Sequence, residues 1–213
     1  MLLVALPKSA STSLMTTLGV LWSLPASQTT FPAQPWPSRP GFDNIARFHS
    51  DARELAAGQA EQFAGSGTLF KQHVVPTDHN LDLLDGQRTV VLIRDARDIV
   101  RAYFRADHLR EHPPRSAFNG LRREDQWLVR AEEIGLIDEL ERFAARWEAV
   151  PEALLVRFED LVREPGRCVD AIEDHWDLPR STRPVTLARE RYTRVGALRS
   201  RILRWRRASA HRR

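Results

Sequence analysis

Four short apolar runs do most to limit what this chain can become: Leu2–Leu6, Thr68–Lys71, Thr89–Ile93 and Ala153–Arg157. Each is rich in Val and Leu, and none alternates apolar with polar residues. A strand with one wet face alternates, whereas a strand buried on both faces does not, as in parallel sheets covered by helices. Helical periodicity fills the intervals, over Ser11–Leu21, Asp51–Ala64, Asp95–Leu109, Leu121–Val150 and Asp160–Trp176. Strands alternating with helices predict an α/β fold: a central parallel sheet of about four or five strands, flanked by helices and joined by right-handed crossovers. A length of 213 residues suits one such domain, taken as residues 1–198, followed by a basic tail, residues 199–213.

Charge is unevenly distributed. The net charge is +4, yet Arg199–Arg213 alone carries seven arginines and no acid, so the rest of the chain is slightly acidic. Such a tail suits contact with nucleic acid, phosphates or an anionic membrane, and equally suits plain solvation. Of the thirty-two Lys and Arg residues only Lys8 and Lys71 are lysines, and both follow a strand-like run. An ammonium is a compact point charge and a guanidinium a rigid planar fork, so two lysines in an arginine-rich chain suit places where a small anion is held, and they also suit chance placement. The lone Cys168 excludes an internal disulfide and a multi-cysteine metal site, and it fits a reducing compartment. No apolar stretch is long enough to cross a membrane, Pro7-Lys8 interrupts the N-terminal run too early for a signal peptide, and the chain is expected to be cytoplasmic.

Four segments carry the chemistry. Leu6-Pro7-Lys8-Ser9-Ala10-Ser11-Thr12-Ser13 passes from strand through small residues into a helix, which suits a phosphate cradle of backbone N–H groups and hydroxyls. The same residues also suit an ordinary Ser-capped helix, and they are not a G-x-x-x-x-G-K-[ST] loop. In Lys71-Gln72-His73-Val74-Val75-Pro76, His73 falls at a strand end, where ligand groups of open α/β sheets collect, and Lys71 shares its face if the strand continues. A histidine there is a candidate general base or a structural strand-end residue. Arg94, at the junction of strand and helix in Ile93-Arg94-Asp95-Ala96-Arg97-Asp98, is placed to fork onto a phosphate. Asp95 and Asp98 suit the helix start, and Arg97 and Arg101 read as solvated. Phe158-Glu159-Asp160-Leu161 reads as a strand end with an acidic helix start. Asp78 and His79 lack metal-ligand spacing, so no metal site is expected.

In this order the segments resemble the cytosolic-type sulfotransferases, which use 3′-phosphoadenosine 5′-phosphosulfate (PAPS). Pro7-Lys8-Ser9-Ala10-Ser11-Thr12 is similar to that family's P-K-S-G-T-T loop, Lys71-Gln72-His73-Val74-Val75-Pro76 to its K-T-H-L-P segment, Arg94-Asp95-Ala96-Arg97-Asp98 to its R-N-P-[KR]-D, and Phe158-Glu159-Asp160-Leu161 to its Y-E-D-L. The resemblance implies a P-loop NTPase-like three-layer sandwich and transfer of a sulfuryl group to a hydroxyl or amine of a small-molecule or glycan acceptor. It also implies His73, Lys8 and Lys71 as catalytic residues. Ser9, Ala10, Ser11, Thr12 and Ser13, with Lys8, are implied at the 5′-phosphosulfate; Arg94, Arg194 and Gly196 are implied at the 3′-phosphate. The product would be adenosine 3′,5′-bisphosphate, and no metal would take part.

The chain departs from the family at three places. Ala10 stands where the family has glycine, Ala102 where it has a serine on the 3′-phosphate, and Arg194-Val195-Gly196 keeps two of the three positions of R-K-G-x-x-G, with Arg191 and Arg199 nearby. Two other readings stay open on sequence: a nucleotide-dependent phosphotransferase or kinase of related fold, and a catalytically inactive nucleotide- or anion-binding module. The Pro-rich stretch Ser23–Gly41 reads as a binding loop or a surface segment. Trp22, Phe31, Trp36, Tyr103 and Phe104 are candidates for an apolar acceptor pocket or for core.

Overall fold

The computed structural model describes residues 1–27, 39–48, 52–65, 67–108 and 116–188. Its centre is β1 (Leu2–Ala5), in which every side chain is fully buried. Burying one leucine of this kind is worth about 2 kcal/mol, which makes this run the natural middle of a sheet. On one side β1 pairs in parallel with β4 (Leu69–Val74), Val4 opposite Gln72; on the other it pairs in parallel with β5 (Thr89–Ile93), Ala5 opposite Leu92. β6 (Ala153–Arg157) continues beyond β5, again parallel, with Ile93 opposite Arg157.

Two two-residue strands complete the sheet. β2 (Ala26–Ser27) pairs with the start of β4, opposite Leu69 and Phe70, and β3 (Ala52–Arg53) pairs with its end, opposite His73 and Val74. The sequence of strands across the sheet is β2-β4-β1-β5-β6, with β3 beside β4. Strands earlier in the chain thus lie to one side of β1 and later ones to the other. A crevice opens at the carboxyl ends where such an order reverses.

Side chains from the two faces enter separate cores, giving three layers. One face, with Leu3, Ala5, Leu69, Val90, Leu92 and Val156, packs on Leu14, Met15 and Leu18 of α1 (Ser11–Leu21), Leu161 of α8 (Phe158–Arg163), and Val169 and Ile172 of α9 (Pro165–His175). The other face, with Leu2, Val4, Phe70, Val74, Val91 and Ile93, packs mainly on α3 (Gln59–Gly65), α5 (Ala96–His108), α6 (Glu124–Glu133) and α7 (Leu136–Glu148). Two short helices, α2 (Asp43–Phe48) and α4 (Asp78–Leu83), add Ile45, Leu81 and Leu83 to the same core, α4 capped by the Thr77 hydroxyl.

Several helix limits differ from the periodicity. The stretch Asp51–Ala64 is helical only from Gln59, because Ala52–Arg53 joins the edge of β4. Leu121–Val150 is two helices, broken at Gly135, whose φ of 74° lies in the left-handed region that glycine enters without a Cβ penalty. Asp160–Trp176 is also two, since Pro165 opens α9 and disfavours helical geometry at the residue before it. Within Ser23–Gly41, Ala26–Ser27 forms β2; residues 28–38 lie outside the described residues, as do residues 109–115 and the tail.

Candidate active site

The loop between β1 and α1 crosses the carboxyl end of the sheet in an unusual backbone conformation. Lys8 and Ala10 both have positive φ, 60° and 65°. At Ala10 the geometry is left-handed (ψ 23°), a state that costs a residue with a Cβ about 1–2 kcal/mol. This is the position where the resemblance expects glycine: the chain keeps a glycine-type conformation while carrying a methyl. Ser9 is fully buried and its hydroxyl donates to the Leu6 carbonyl, which ties the loop back to the strand. Ser11 and Ser13 are buried in the first turn of α1, and Thr17 closes the next turn by donating to the Ser13 carbonyl at 2.9 Å.

β4 continues past the sequence estimate to Val74, so Lys71 and His73 stand two residues apart on one face. Their face is that of Leu69, which packs with α1, and both are half-buried while Gln72 between them is buried on the opposite side. The Lys71 ammonium reaches the Thr12 hydroxyl at 3.4 Å. His73 Nδ1 lies 2.7 Å from the Ala5 carbonyl of the neighbouring strand. A carbonyl only accepts, so Nδ1 carries the hydrogen, and in the neutral ring Nε2 holds the basic lone pair.

Arg94 leaves β5 with the parity of Val90 and Leu92, on this same face. Its Nη1 donates to the Lys8 carbonyl at 2.7 Å, and its guanidinium lies 4.0 Å above the centre of the Phe158 ring. Nε of Arg94 is buried with no hydrogen-bond partner among the described residues. Burial pushes the Arg94 pKa below the usual arginine value, as does the like charge of Arg105, while Asp98, Glu159 and Asp95 act the other way. A guanidinium partly withdrawn from water, and with a donor unused, suits an incoming anion.

Phe158, read from sequence only as a strand end before an acidic helix start, contributes its ring to Arg94. The signal was present in the register: Arg157 pairs with Ile93, so Phe158 and Arg94, each one residue on, are level across the sheet. Arg97 and Arg101 are not simply solvated. Arg97 pairs with Glu132, and Arg101 with Asp98 at 2.8 Å and Glu124 at 3.4 Å, linking α5 to α6.

The aromatic candidates resolve as structural where they are described. Tyr103 is fully buried in the core, Phe104 packs edge-on against Trp127 with ring centres 5.7 Å apart, and Trp22, at the far end of α1 from the loop, donates to Glu173 at 3.2 Å. His79 bonds the Leu55 carbonyl at 2.9 Å and Asp78 pairs with Arg146. Among the described residues no three His, Cys, Asp or Glu side chains gather as a metal-binding group, and no helix is long and apolar enough to cross a membrane. Phe31, Trp36, Arg191, Arg194, Gly196 and Arg199 lie outside the described residues; the described chain ahead of Arg191 runs beside α1, where the Ala188 N–H donates to Thr17 at 3.0 Å.

No protein-family profile matches this chain, and no curated protein matches its sequence. Among solved structures its fold is similar to the crystal structure of a sulfotransferase from Alicyclobacillus acidocaldarius. The TM-score is 0.53 at 14% identity, over 96% of this chain and 89% of that one. At that identity the likeness speaks to architecture: the chain has an α/β fold with an all-parallel sheet of the kind seen in a bacterial sulfotransferase.

Proposed function

We propose that the protein transfers a sulfuryl group from PAPS to a hydroxyl or amine of a small-molecule or glycan acceptor. The observation that carries this reading is the convergence, on the α1 face of three adjacent strand ends, of Lys71 against Thr12, His73 against Ala5 and Arg94 against Lys8. The fold likeness supports it at the level of architecture.

The donor set fits the cosubstrate. The loop from Lys8 to Ser13 offers backbone N–H groups, hydroxyls and the positive end of an eleven-residue helix to the 5′-phosphosulfate. Arg94 has an unused buried Nε for a second anionic group, the 3′-phosphate, which Arg194 and Gly196 would also serve. When bound, PAPS supplies an activated sulfuryl group with a stable phosphate leaving group.

In this mechanism His73 Nε2 takes the proton from the acceptor O–H or N–H as the acceptor's lone pair attacks sulfur. Ala5 holds the ring so that the lone pair, rather than the proton, faces the acceptor. A new bond to sulfur forms while the bond from sulfur to the bridging phosphate oxygen breaks. Lys8 would stabilise charge on that departing oxygen and Lys71 charge on the sulfuryl oxygens, so that charge would be met by cations held in place rather than by reorganising water. Residues 1–198 act as one catalytic domain.

Calorimetric titration with adenosine 3′,5′-bisphosphate, with ATP as the competitor, tests the reading. Tight binding of the bisphosphate and weak binding of ATP are expected. ATP binding as tight as the bisphosphate would sink it.

A further inference from the structure

We propose that Phe158 is a positioning residue: its ring holds the Arg94 guanidinium, and through Arg94 the Lys8 peptide, in the geometry in which the loop before α1 receives the 5′-phosphosulfate. The inference rests on the nucleotide reading above and adds to it a residue that acts through another.

The placement follows from the sheet. Ile93 is opposite Arg157, so Arg94 and Phe158 leave neighbouring strands at the same level, and the extended Arg157 turns the chain into α8 with Phe158 as its first residue. Leu161, three residues on, is fully buried in the core beneath that helix and anchors it. Phe158 is half-buried and belongs to neither core; its ring faces the Arg94 guanidinium, 4.0 Å from the ring centre.

An aromatic face suits this task better than a carboxylate. Arg94 makes no ion pair among the described residues, and its Nε is buried without a hydrogen-bond partner there. A carboxylate would hold the fork by taking its N–H donors and cancelling its charge. A ring attracts the guanidinium through its π face and leaves the in-plane donors free. One of these, on Nη1, reaches the Lys8 carbonyl at 2.7 Å.

That bond acts on the strained part of the loop. Lys8 and Ala10 have φ of 60° and 65°, unfavourable for residues with a Cβ, and such conformations persist only where contacts over-determine them. The Ser9 hydroxyl on the Leu6 carbonyl is one such contact, and Arg94 on the Lys8 carbonyl is a second. A planar trans peptide points its C=O and N–H in opposite directions, so holding the Lys8 carbonyl also fixes the direction of the Ser9 N–H, a donor of the cradle.

Calorimetry on the full chain compares adenosine 3′,5′-bisphosphate with adenosine 5′-phosphosulfate, which carries the 5′ group and no 3′-phosphate. The proteins are the wild type, Phe158→Leu, Phe158→Tyr and Phe158→Trp. Phe158→Leu should weaken both ligands about 3- to 10-fold, the worth of a partly desolvated cation–π contact. The tyrosine and tryptophan variants keep the ring face and should stay within about 2-fold of the wild type for both. Urea midpoints should stay near the wild-type value, since Phe158 lies outside both cores. Loss of bisphosphate affinity alone would overturn the proposal, because Arg94 would then act only at the 3′-phosphate. Unchanged affinities in Phe158→Leu would overturn it as well, as would equal losses in all three variants or a urea midpoint that falls in step with affinity. A wild type that binds the bisphosphate but not the phosphosulfate would remove the loop as the target of Phe158, and one that binds neither would overturn the nucleotide reading itself.

Discussion

His73 and Ala5 are joined across neighbouring parallel strands, Nδ1 2.7 Å from the carbonyl oxygen, so the sheet itself sets the tautomer of the ring. The hydrogen bond needs both the length of β4 and the register that puts Val4 opposite Gln72. A histidine shifted by one residue would point into the opposite core. The orientation of the imidazole and the scaffold are therefore one feature.

Removing the imidazole should separate chemistry from binding. His73→Ala is expected to lose about 10²–10⁴-fold in turnover, the usual worth of a general base, while adenosine 3′,5′-bisphosphate still binds. Steady-state kinetics beside calorimetry on the same variant checks this. Turnover near the wild-type rate would remove His73 from the mechanism.

The strained loop offers a test of backbone rather than side chain. Ala10→Gly relieves a left-handed alanine, and after the extra chain entropy of glycine it should stabilise the fold by about 0.5–1 kcal/mol. Ala10→Val should do the reverse, because a β-branched residue is worse still at φ 65°. Urea denaturation of the two variants decides it, and a destabilising glycine would mean that the loop does not hold this conformation in solution.

The architecture was legible because β1 and β5 are non-alternating runs, and both are buried on both faces; β6, at the sheet edge, carries the same kind of run although only Val156 in it is buried, and β4 was legible only in its first, apolar half. β2 and β3 were not legible: two residues pairing on the edge of β4 leave no periodicity, and their position depends on a partner far along the chain. The same limit applied to the site. Lys8, Lys71, His73 and Arg94 stood out by residue type and by place at strand ends. The stacking of Arg94 on Phe158 and the bond from His73 to Ala5 are contacts between strands, which appear only once the register is known.

Lysine rather than arginine at position 71 should matter in rate more than in affinity. The ammonium reaches Thr12 at 3.4 Å from a half-buried position, and a guanidinium is larger and planar. Lys71→Arg keeps the charge, so bisphosphate affinity should stay within about 3-fold while turnover falls about 10-fold or more. Equal turnover would show that charge alone suffices there.

Asn80 fixes the outer flank of the site. It is fully buried, its Oδ1 accepts from the Leu55 N–H at 2.7 Å and its Nδ2 donates to the Val75 carbonyl at 2.7 Å, so it joins the chain after β3 to the chain after β4. Asn80→Ala leaves both backbone groups without this partner, at a cost of about 2–4 kcal/mol, and the midpoint of urea unfolding should fall accordingly. A midpoint within error of the wild type would show that the two segments are held by other contacts.

Glu139 should give stability an inverse dependence on pH in the mildly acidic range. Its carboxylate is buried, accepting from the Ile45 N–H at 2.8 Å and from Asn44 Nδ2 at 3.1 Å, and so holds α2 against α7. Burial raises its pKa above the ordinary value, and those hydrogen bonds lower it by less. Between the unfolded value, about 4.3, and the raised folded value, the native state therefore keeps a proton that the unfolded chain has lost. This group's contribution is full below that window and declines as pH rises through it. Glu139→Gln removes the titration but sets an amide N–H against Asn44, a mismatch that does not change with pH. The stability of the wild type relative to Glu139→Gln should thus be greatest at the acid end and shrink toward neutrality, as read from urea midpoints at matched pH values. A difference that widens toward neutrality would mean that the site is built for the carboxylate anion instead.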